Sequence, residues 1–209
     1  MAGTDETRID VAASDWREVY RRLVEIVVPR PIALVASVDA GGRPNLAPFS
    51  FFTVVSGNPP HVAFAPLLSG RTGAKKDTLR NVEAVGEFVV GVVTETIAER
   101  VNAASAALPH GVSEFEHAGL TPRPAELVRA PLIAESPVNL ECRLAEIRSY
   151  GEGGGAGSLI VGRVLLVHVA ESVRAADGRI DPDLLQAVGR MGGEEWVRTR
   201  DRLTMRRPE

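Results

Sequence analysis

Two long segments of alternating apolar and polar residues constrain the fold of this chain more than any other feature. They cover 138–150 and 158–169, and the glycine-rich segment 151–157 separates them. Because strand side chains point alternately to the two faces of a sheet, the pattern predicts two long β-strands. The connection predicts an antiparallel hairpin, and we interpret it as a hairpin tip because it matches neither a Walker pattern nor a dinucleotide fingerprint.

Shorter elements are predicted on either side of this hairpin. Apolar residues at helical spacing follow Asp15 and stop at Pro29, which predicts an amphipathic helix. Strands are predicted at 31–38, 44–56, 61–67 and 87–93, the first two forming a hairpin around the turn 39–43. Short helices are predicted after Thr78, from Thr96 to about Ser105 and from Asp181 to about Val188. The segment 109–137, with five prolines, is predicted to be a long excursion over the sheet.

The composition agrees with a strand-rich domain. Aromatic residues make up only 5% of the chain, whereas it has 20 glycines and 14 prolines. This predicts a core of Val, Ala, Leu and Ile with many turns. At least six strands without regular βαβ alternation predict a mainly β fold with short helices, arranged as a small antiparallel barrel. We assign 1–13 to an N-terminal tail and 14–209 to a single domain.

Charge and hydropathy exclude several classes of protein. The 24 Lys and Arg residues against 27 Asp and Glu residues leave a net charge of −3, without the basic excess of a nucleic-acid-binding protein. The apolar stretches are far shorter than the roughly 20 residues that cross a membrane. The acidic N-terminus does not resemble a signal peptide, and one cysteine, Cys142, suits a reducing compartment. We therefore expect a cytoplasmic protein without membrane or nucleic-acid partners.

The first candidate site is the loop 69–78, where basic residues precede a predicted helix. A helix start offers free backbone N–H groups and a partial positive charge, and the Lys76 ammonium and Thr78 hydroxyl add donors for a phosphate group. The structural alternative is that Asp77 or Thr78 caps the helix and that the basic residues form a solvated face. Both interpretations remain open from the residues alone.

The second candidate site is the segment 45–52, which has a proline inside an apolar run. Pro48 donates no hydrogen bond to a neighbouring strand, so this strand must lie at an edge, contain a bulge or face something other than a strand. Freed backbone groups could read the edge of a planar heterocycle. The structural alternative is a plain edge strand with phenylalanines in the core.

Other reactive residues indicate no catalytic grouping. The four histidines, His61, His110, His117 and His168, have no metal-ligand spacing, and Cys142 lies in an alternating strand where a buried structural thiol is the usual role. The segment Gly189–Gly193, followed by Trp196 and Arg198, brings glycine, arginine and an aromatic residue together but by itself predicts only a turn. We predict no metal site and no catalytic side chain.

Taken in order, six segments resemble the flavin reductase-like, FMN-binding split-barrel family. The resemblance extends from about Val28 to Arg200 and rests on the following segments: 29–37 (PRPIALVAS), 45–52 (NLAPFSFF), 76–81 (KDTLRN), 87–90 (EFVV), 135–142 (ESPVNLEC) and 189–193 (GRMGG). This ordered series is far more specific than any one segment.

The resemblance implies a homodimer of six-stranded Greek-key barrels that hold FMN near the dimer interface. The phosphate would lie around Lys76, Asp77 and Thr78, and the isoalloxazine edge along 45–50. The implied cofactor-binding residues are Ser37, Asn45, Leu46, Ala47, Pro48, Phe49, Ser50, Lys76, Asp77, Thr78 and Arg190.

For function, the resemblance implies an NAD(P)H-dependent flavin reductase that supplies reduced flavin to a partner monooxygenase. FMN, or FAD as a substrate, would take hydride from NADH or NADPH, which requires no acid or base from the protein. Two alternatives stand beside it: a tightly FMN-bound electron carrier like flavoredoxin, and a non-catalytic β-barrel binding module.

Overall fold

The computed structural model describes residues 6–108 and 112–208. Within these ranges the helices are α1 (Trp16–Ile26), α2 (Asp77–Val85), α3 (Ala98–Ala103), α4 (Glu114–Ala118) and α5 (Pro182–Leu185). The strands are β1 (Arg30–Pro31), β2 (Ala33–Val38), β3 (Pro44–Phe49), β4 (Phe52–Gly57), β5 (Pro60–Phe64), β6 (Glu87–Val92), β7 (Pro122–Arg123), β8 (Leu132–Ile133), β9 (Val138–Tyr150), β10 (Gly157–Val169), β11 (Val188–Arg190) and β12 (Trp196–Arg198). No helix in the described ranges is long and apolar enough to cross a membrane.

The main sheet has seven strands in the order β3-β2-β6-β9-β10-β5-β4, and its neighbouring strands are antiparallel. A three-stranded sheet, β1-β11-β12, and the pair β7-β8 complete the strand pairing of the described residues. The mainly β fold with short helices is confirmed, and so is the long hairpin of β9 and β10.

One predicted strand is two strands, which explains why the main sheet has seven. The apolar run 44–56 divides at Ser50 and Phe51 into β3 and β4, and these lie at opposite edges of the sheet. Three peptide units span at most about 11 Å, so the two edges must lie close together. The sheet therefore curls into a barrel whose seam between β3 and β4 is not hydrogen-bonded.

Strand β2 has packed side chains on both faces. Leu34 and Ala36 belong to a core cluster that α3, α4 and β8 cover. Ala33 and Val35 belong to a second cluster with residues of α2 and three phenylalanines whose rings meet in tilted and edge-on pairs. Those phenylalanines are Phe49, Phe64 and Phe88. All six residues of β2 are buried. Apart from a few phenylalanines, the core consists mainly of aliphatic residues, as the composition predicted.

The excursion 109–137 is anchored on the sheet by a buried carboxylate. Residues 109–111 lie outside the described residues; beyond them the segment contains α4, β7 and β8. The carboxylate of Glu141, on β9, accepts hydrogen bonds from the backbone N–H groups of Glu126, Leu127 and Val128, and His168 Nε2 lies 2.7 Å from it. Burial alone would raise the pKa of Glu141, but these hydrogen bonds outweigh it and hold the pKa below its ordinary value.

Two predicted helices differ in detail from the structure. The segment after Thr94 starts as a 3-10 turn, and α3 ends at Ala103, so the predicted capping role of Thr96 is wrong; its hydroxyl instead bonds to the Thr94 hydroxyl at 2.9 Å. Helix α5 begins after Asp181 as predicted but ends at Leu185, because the chain then enters β11.

Candidate functional site

A cleft of about 470 Å³ lies between the β2–β3 hairpin, the start of α2 and the start of α4. Asn45 of β3 and Asp77 and Asn81 of α2 form one wall, and Glu114 of α4 lies opposite. Both candidate segments of the sequence therefore meet at one cleft. The sheet places β3 beside this cleft because β3 is an edge strand.

Four buried polar side chains are hydrogen-bonded to one another beside the cleft. Asn45 Nδ2 donates to Thr78 Oγ1 at 3.0 Å and to Ser37 Oγ at 3.4 Å, and Asn81 Nδ2 donates to Ser37 Oγ at 3.1 Å. In this arrangement both hydroxyl oxygens act as acceptors. No described residue accepts the hydrogen of either hydroxyl, so both remain available as donors to a ligand.

The first turn of α2 has no capping side chain. Its N-cap residue is Lys76, whose side chain has no oxygen that could accept a hydrogen bond from the first turn. Asp77 and Thr78 are the first two helical residues. The structural alternative, in which Asp77 or Thr78 caps the helix, is therefore wrong. The Asp77 carboxylate instead pairs with Arg80 at 2.9 Å. The first-turn N–H groups have no partner within the helix, which makes them donors for an anion.

The two neighbouring lysines differ in their partners. Lys75 Nζ lies 2.6 Å from the carboxylate of Glu83. Lys76 makes no ion pair with a described carboxylate; its Nζ lies 5.6 Å from the ring centre of Phe49. Although Lys76 as a residue is exposed, desolvation of its ammonium group lowers its pKa. An anion bound beside this ammonium group would stabilise its charged form and raise the pKa again.

The outer edge of β3 offers a single backbone donor. In an antiparallel pair, hydrogen-bonded and non-hydrogen-bonded residue pairs alternate, and the hydrogen bond from Asp39 N to Arg43 O shows which pairs are bonded in this hairpin. The backbone N–H and C=O groups of positions 44, 46 and 48 therefore point away from β2. Two of these are prolines and have no N–H. The remaining one, Leu46 N–H, lies 3.4 Å from a carboxylate oxygen of Glu114. Of the three possibilities that Pro48 left open, the structure has the edge strand: β2 and β3 pair without a bulge, and Phe49 lies in the core as the structural alternative predicted.

Arg30 links the end of β3 to the three-stranded sheet. Its buried guanidinium donates to the carbonyl oxygens of Val24, Val27 and Met191 and, through Nε, to Ser50 Oγ at 3.3 Å. Ser50 therefore lies at the junction of α1, β1 and the seam. Arg30 is a site residue that the sequence did not single out, although it stands inside the quoted segment 29–37.

Arg190 lies in a different cleft from the other predicted residues. Its guanidinium is 5.6 Å from the ring centre of Trp196, and Glu99, Asn102 and Glu194 line the same cleft of about 640 Å³. Arg190 is the cross-strand partner of Arg30, which is its only described connection to the end of β3. Arg198, whose role the sequence left open, forms an ion pair with Glu95.

Sequence reasoning missed two further residues of the cleft. Asn81 stands in the quoted segment 76–81 but received no role, although its spacing of three from Thr78 places both on one helix face. Glu114 was missed because α4 was not predicted. The signal was present, since Ser113 and Glu116 form a capping box and Ser113 Oγ accepts from Glu116 N.

The remaining reactive residues of the described ranges, which do not include His110, form no catalytic or metal centre. Burial raises the pKa of the Cys142 thiol to about 12, which makes it an unreactive core residue. Within the described ranges, no group of three or more His, Cys, Asp or Glu side chains is arranged to hold a metal ion.

Comparison with known proteins gives consistent matches over nearly the whole chain. The family model "Flavin reductase like domain" matches residues 26–191. An uncharacterised protein of Halalkalibacterium halodurans is 41% identical over 196 residues, which cover 92% of each chain. The crystal structure of nitrilotriacetate monooxygenase component B from Bacillus cereus superposes with a TM-score of 0.90 and 32% identity, covering 97% of this chain and 100% of that one.

A split-barrel domain protein from Shewanella frigidimarina superposes with a TM-score of 0.80 and 24% identity, covering 95% of both chains. The open seam between β3 and β4 is thus part of a known architecture, the split barrel. The matched segment includes every residue of the cleft described above. The chain belongs to the flavin reductase-like family.

Proposed function

We propose that this protein is an NAD(P)H-dependent flavin reductase that binds FMN in the cleft beside β3 and passes reduced flavin to a partner monooxygenase. The observation that carries the proposal is the convergence of three anion donors at the start of α2. They are the uncapped first turn, the Thr78 hydroxyl and the ammonium group of Lys76, which has no described carboxylate partner. These groups fit a phosphate, and Pro44 and Asn45 of β3 line the cleft together with Asp77 of this helix start.

The residues divide into those that hold the phosphate end and those that orient the ring. Lys76 and Thr78 hold the phosphate, with Asp77 contributing its backbone N–H. The Ser37 hydroxyl donates to a polar oxygen of the ligand, while Asn45 and Asn81 hold the hydroxyl oxygens of Thr78 and Ser37 in place. Ala47, Pro48, Phe49 and Ser50 form the strand along which the isoalloxazine lies. Bound flavin supplies the redox chemistry by accepting hydride from a nicotinamide.

The single outward N–H of β3 suits recognition of a heterocycle edge. Leu46 N–H can donate to one ring carbonyl of a flavin, and a neighbouring outward backbone carbonyl can accept from the adjacent ring N–H. Glu114 accepts this N–H in the structure, so the carboxylate must give way when a ring carbonyl takes its place. FAD would present the same edge, which allows it to act as a substrate too.

The proposed partners follow from one neighbour and one surface. The similar protein from Bacillus cereus is component B of a monooxygenase, which supports a monooxygenase as acceptor of reduced flavin. Large apolar side chains remain exposed on α1 and β4, including Leu23, Ile26 and Val54. We propose that a second copy of the chain covers this surface in a homodimer, in the cytoplasm, where the free thiol of Cys142 stays reduced.

The experiment is an aerobic assay of NADH and NADPH oxidation by the purified protein, with and without added FMN. The proposal predicts oxidation of at least one nucleotide that depends on flavin and is reduced in a Thr78→Val variant. Failure with both nucleotides and with both FMN and FAD would contradict it.

An absorbance spectrum of the purified protein, followed by NADH in the same cuvette, separates the two alternatives. Yellow protein that keeps its colour through gel filtration but leaves NADH unconsumed would indicate a flavoredoxin-like carrier. Colourless protein whose Tm does not rise with FMN would indicate a non-catalytic barrel, because a ligand that binds only the native state must stabilise it.

A further inference from the structure

The glycine-rich tip of the β9–β10 hairpin packs against the loop that leads into α2. Leu68 N donates to Ala156 O at 2.8 Å, and Gly155 N donates to Leu68 O at 3.1 Å. A Cβ atom added at Gly154 would lie 3.0 Å from Gly70 O. The two segments are therefore in backbone contact.

The indole of Trp16, at the start of α1, lies between these two segments. A Cβ atom at Gly70 would lie 3.3 Å from Trp16 Cη2, and one at Gly155 would lie 2.8 Å from Trp16 Cε3. Only glycine lets both backbones approach the indole this closely. Arg17 completes the contact, since its guanidinium lies 4.5 Å from the Trp16 ring centre and donates to Gly70 O at 3.0 Å. We call Trp16, Arg17, Gly70, Gly154 and Gly155 the clasp.

The clasp holds a short closed loop directly before the start of α2. Ser69 N donates to Ala74 O and Gly73 N donates to Ser69 O, so residues 69–74 form one compact turn. Ala74 is only two residues before Lys76, the N-cap of α2. The loop also carries Arg71, which makes no ion pair with a described carboxylate.

The body of α2 is fixed in another way. Leu79 and Val82 are buried in the core cluster beneath the helix. Loss of the clasp would therefore leave the helix in place and release only the turn before it. Lys75 and Lys76, directly before the helix, are the part that would lose its fixed position, whereas Thr78 stays bonded to Asn45.

We propose that the clasp is a positioning device for the phosphate end of the flavin site, with Trp16 and Gly155 acting through the loop 69–74. This rests on the proposed function. It accounts for the glycine at position 154, where the turn itself does not demand a positive φ but a Cβ atom would press on the backbone of Gly70. A turn that is held in place before binding does not have to be ordered by the ligand, and the affinity for the phosphate is higher for that reason.

Riboflavin, which is FMN without its phosphate, provides the test. Dissociation constants for FMN and riboflavin are measured by flavin fluorescence in the wild type and in Trp16→Ala, Gly155→Ala and Gly153→Ala. Gly153 is the matched control, because it has a φ of +81° against +86° at Gly155 but open space where a Cβ would lie. Alanine therefore strains the backbone equally at both positions and meets the indole at only one.

We expect Trp16→Ala and Gly155→Ala to weaken FMN binding about tenfold while riboflavin binding changes less than about twofold. Gly153→Ala should keep the wild-type ratio of the two constants. Arg17→Ala is an exposed substitution that leaves the core intact. It should shift the ratio of the FMN and riboflavin dissociation constants about threefold in the same direction, and it provides the test if the other variants do not fold.

An unchanged ratio in the folded clasp variants, or an equal loss of both ligands, would overturn the positioning role. That result would leave the proposed function standing, since the wild type would still prefer FMN. If the wild type itself binds neither ligand, or binds both equally, the phosphate site of the proposed function fails and the clasp inference fails with it.

Discussion

Asn45 and Thr78 are 33 positions apart in the chain, and their side chains are joined by a hydrogen bond of 3.0 Å. The bond connects the edge strand of the barrel to the first turn of α2. It therefore ties together the two segments that we propose to hold the ring and the phosphate of the same flavin. Five predictions test this arrangement and the fold that supports it.

Thr78→Val should weaken FMN binding about tenfold, because the substitution keeps the shape of the side chain and removes the hydroxyl. The Asn45 amide loses its acceptor as well, so a fall in Tm of a few degrees accompanies the loss. Fluorescence titration and thermal melting measure the two effects. Unchanged FMN affinity in a folded variant would remove Thr78 from the site.

Lys76→Ala should weaken FMN binding about tenfold and reduce its dependence on salt, since a charge-assisted contact to the phosphate is lost. Lys75→Ala is the control, because that ammonium group is already paired with Glu83. Titrations at two ionic strengths separate the two lysines. Equal effects of both substitutions would mean that the basic residues act only as a general charged surface.

Glu141→Gln should destabilise the protein by about 2 kcal/mol at neutral pH, because an amide cannot accept three backbone N–H groups and the His168 contact. Glu146→Gln, an exposed change on the same strand, should have almost no effect. The folded-state pKa of Glu141 is below its ordinary value of 4.5. The stability that the carboxylate contributes is thus present above the unfolded pKa and lost as pH falls through the folded pKa.

The difference in Tm between wild type and Glu141→Gln should therefore shrink as the pH falls below about 4.5. Differential scanning calorimetry across this range measures it. A difference that stays constant down to acid unfolding would contradict the role of the ionised carboxylate.

Gly162→Ala should cost about 1–3 kcal/mol, because the added methyl would lie 2.9 Å from Cε1 of the buried Phe88 ring. Gly57→Ala is the comparison, since nothing lies within 4 Å of the position where its methyl would be. Chemical denaturation gives both values. Equal stabilities of the two variants would show that the core around Phe88 can rearrange.

The double substitution Ile26→Glu with Val54→Glu should turn the proposed dimer into a monomer. The exposed fractions of these side chains are 70% and 71%, so the changes do not disturb the core of the subunit. Val167→Glu places the same charge at a side chain that is 49% exposed elsewhere and should leave the dimer intact. Sedimentation velocity distinguishes these results, and a wild type that is already monomeric would refute the dimer.

The sequence predicted the parts of the fold that local chemistry decides. The β9–β10 hairpin follows from alternation, and Pro48 restricted β3 to three possibilities, one of which is the observed edge position. The division of the run 44–56 was not predicted, because Ser50 and Phe51 give no turn signal and the break depends on the closure of the barrel. Closure of the barrel depends on the whole sheet, so a short segment of sequence cannot predict it.

The sequence identified the start of α2 as part of the candidate site. It did not identify the residues from other positions that complete the site. The residues alone did not decide between a phosphate site at this helix start and a helix capped by Asp77 or Thr78, since both interpretations fit the same sequence. Asn81 and Glu114 became visible only when the structure placed them across from Ser37 and Leu46. Arg190 stands apart because its strand belongs to another sheet.

The prolines at positions 44 and 48 have a consequence for the behaviour of this protein in a crowded solution. An uncovered strand edge is a template on which a foreign chain can add another strand, the first step of aggregation. Here two of the three outward positions cannot donate, and the carboxylate of Glu114 occupies the third. The barrel can leave this edge bare for a small ligand because an added strand would find outward carbonyls there but no free N–H donor.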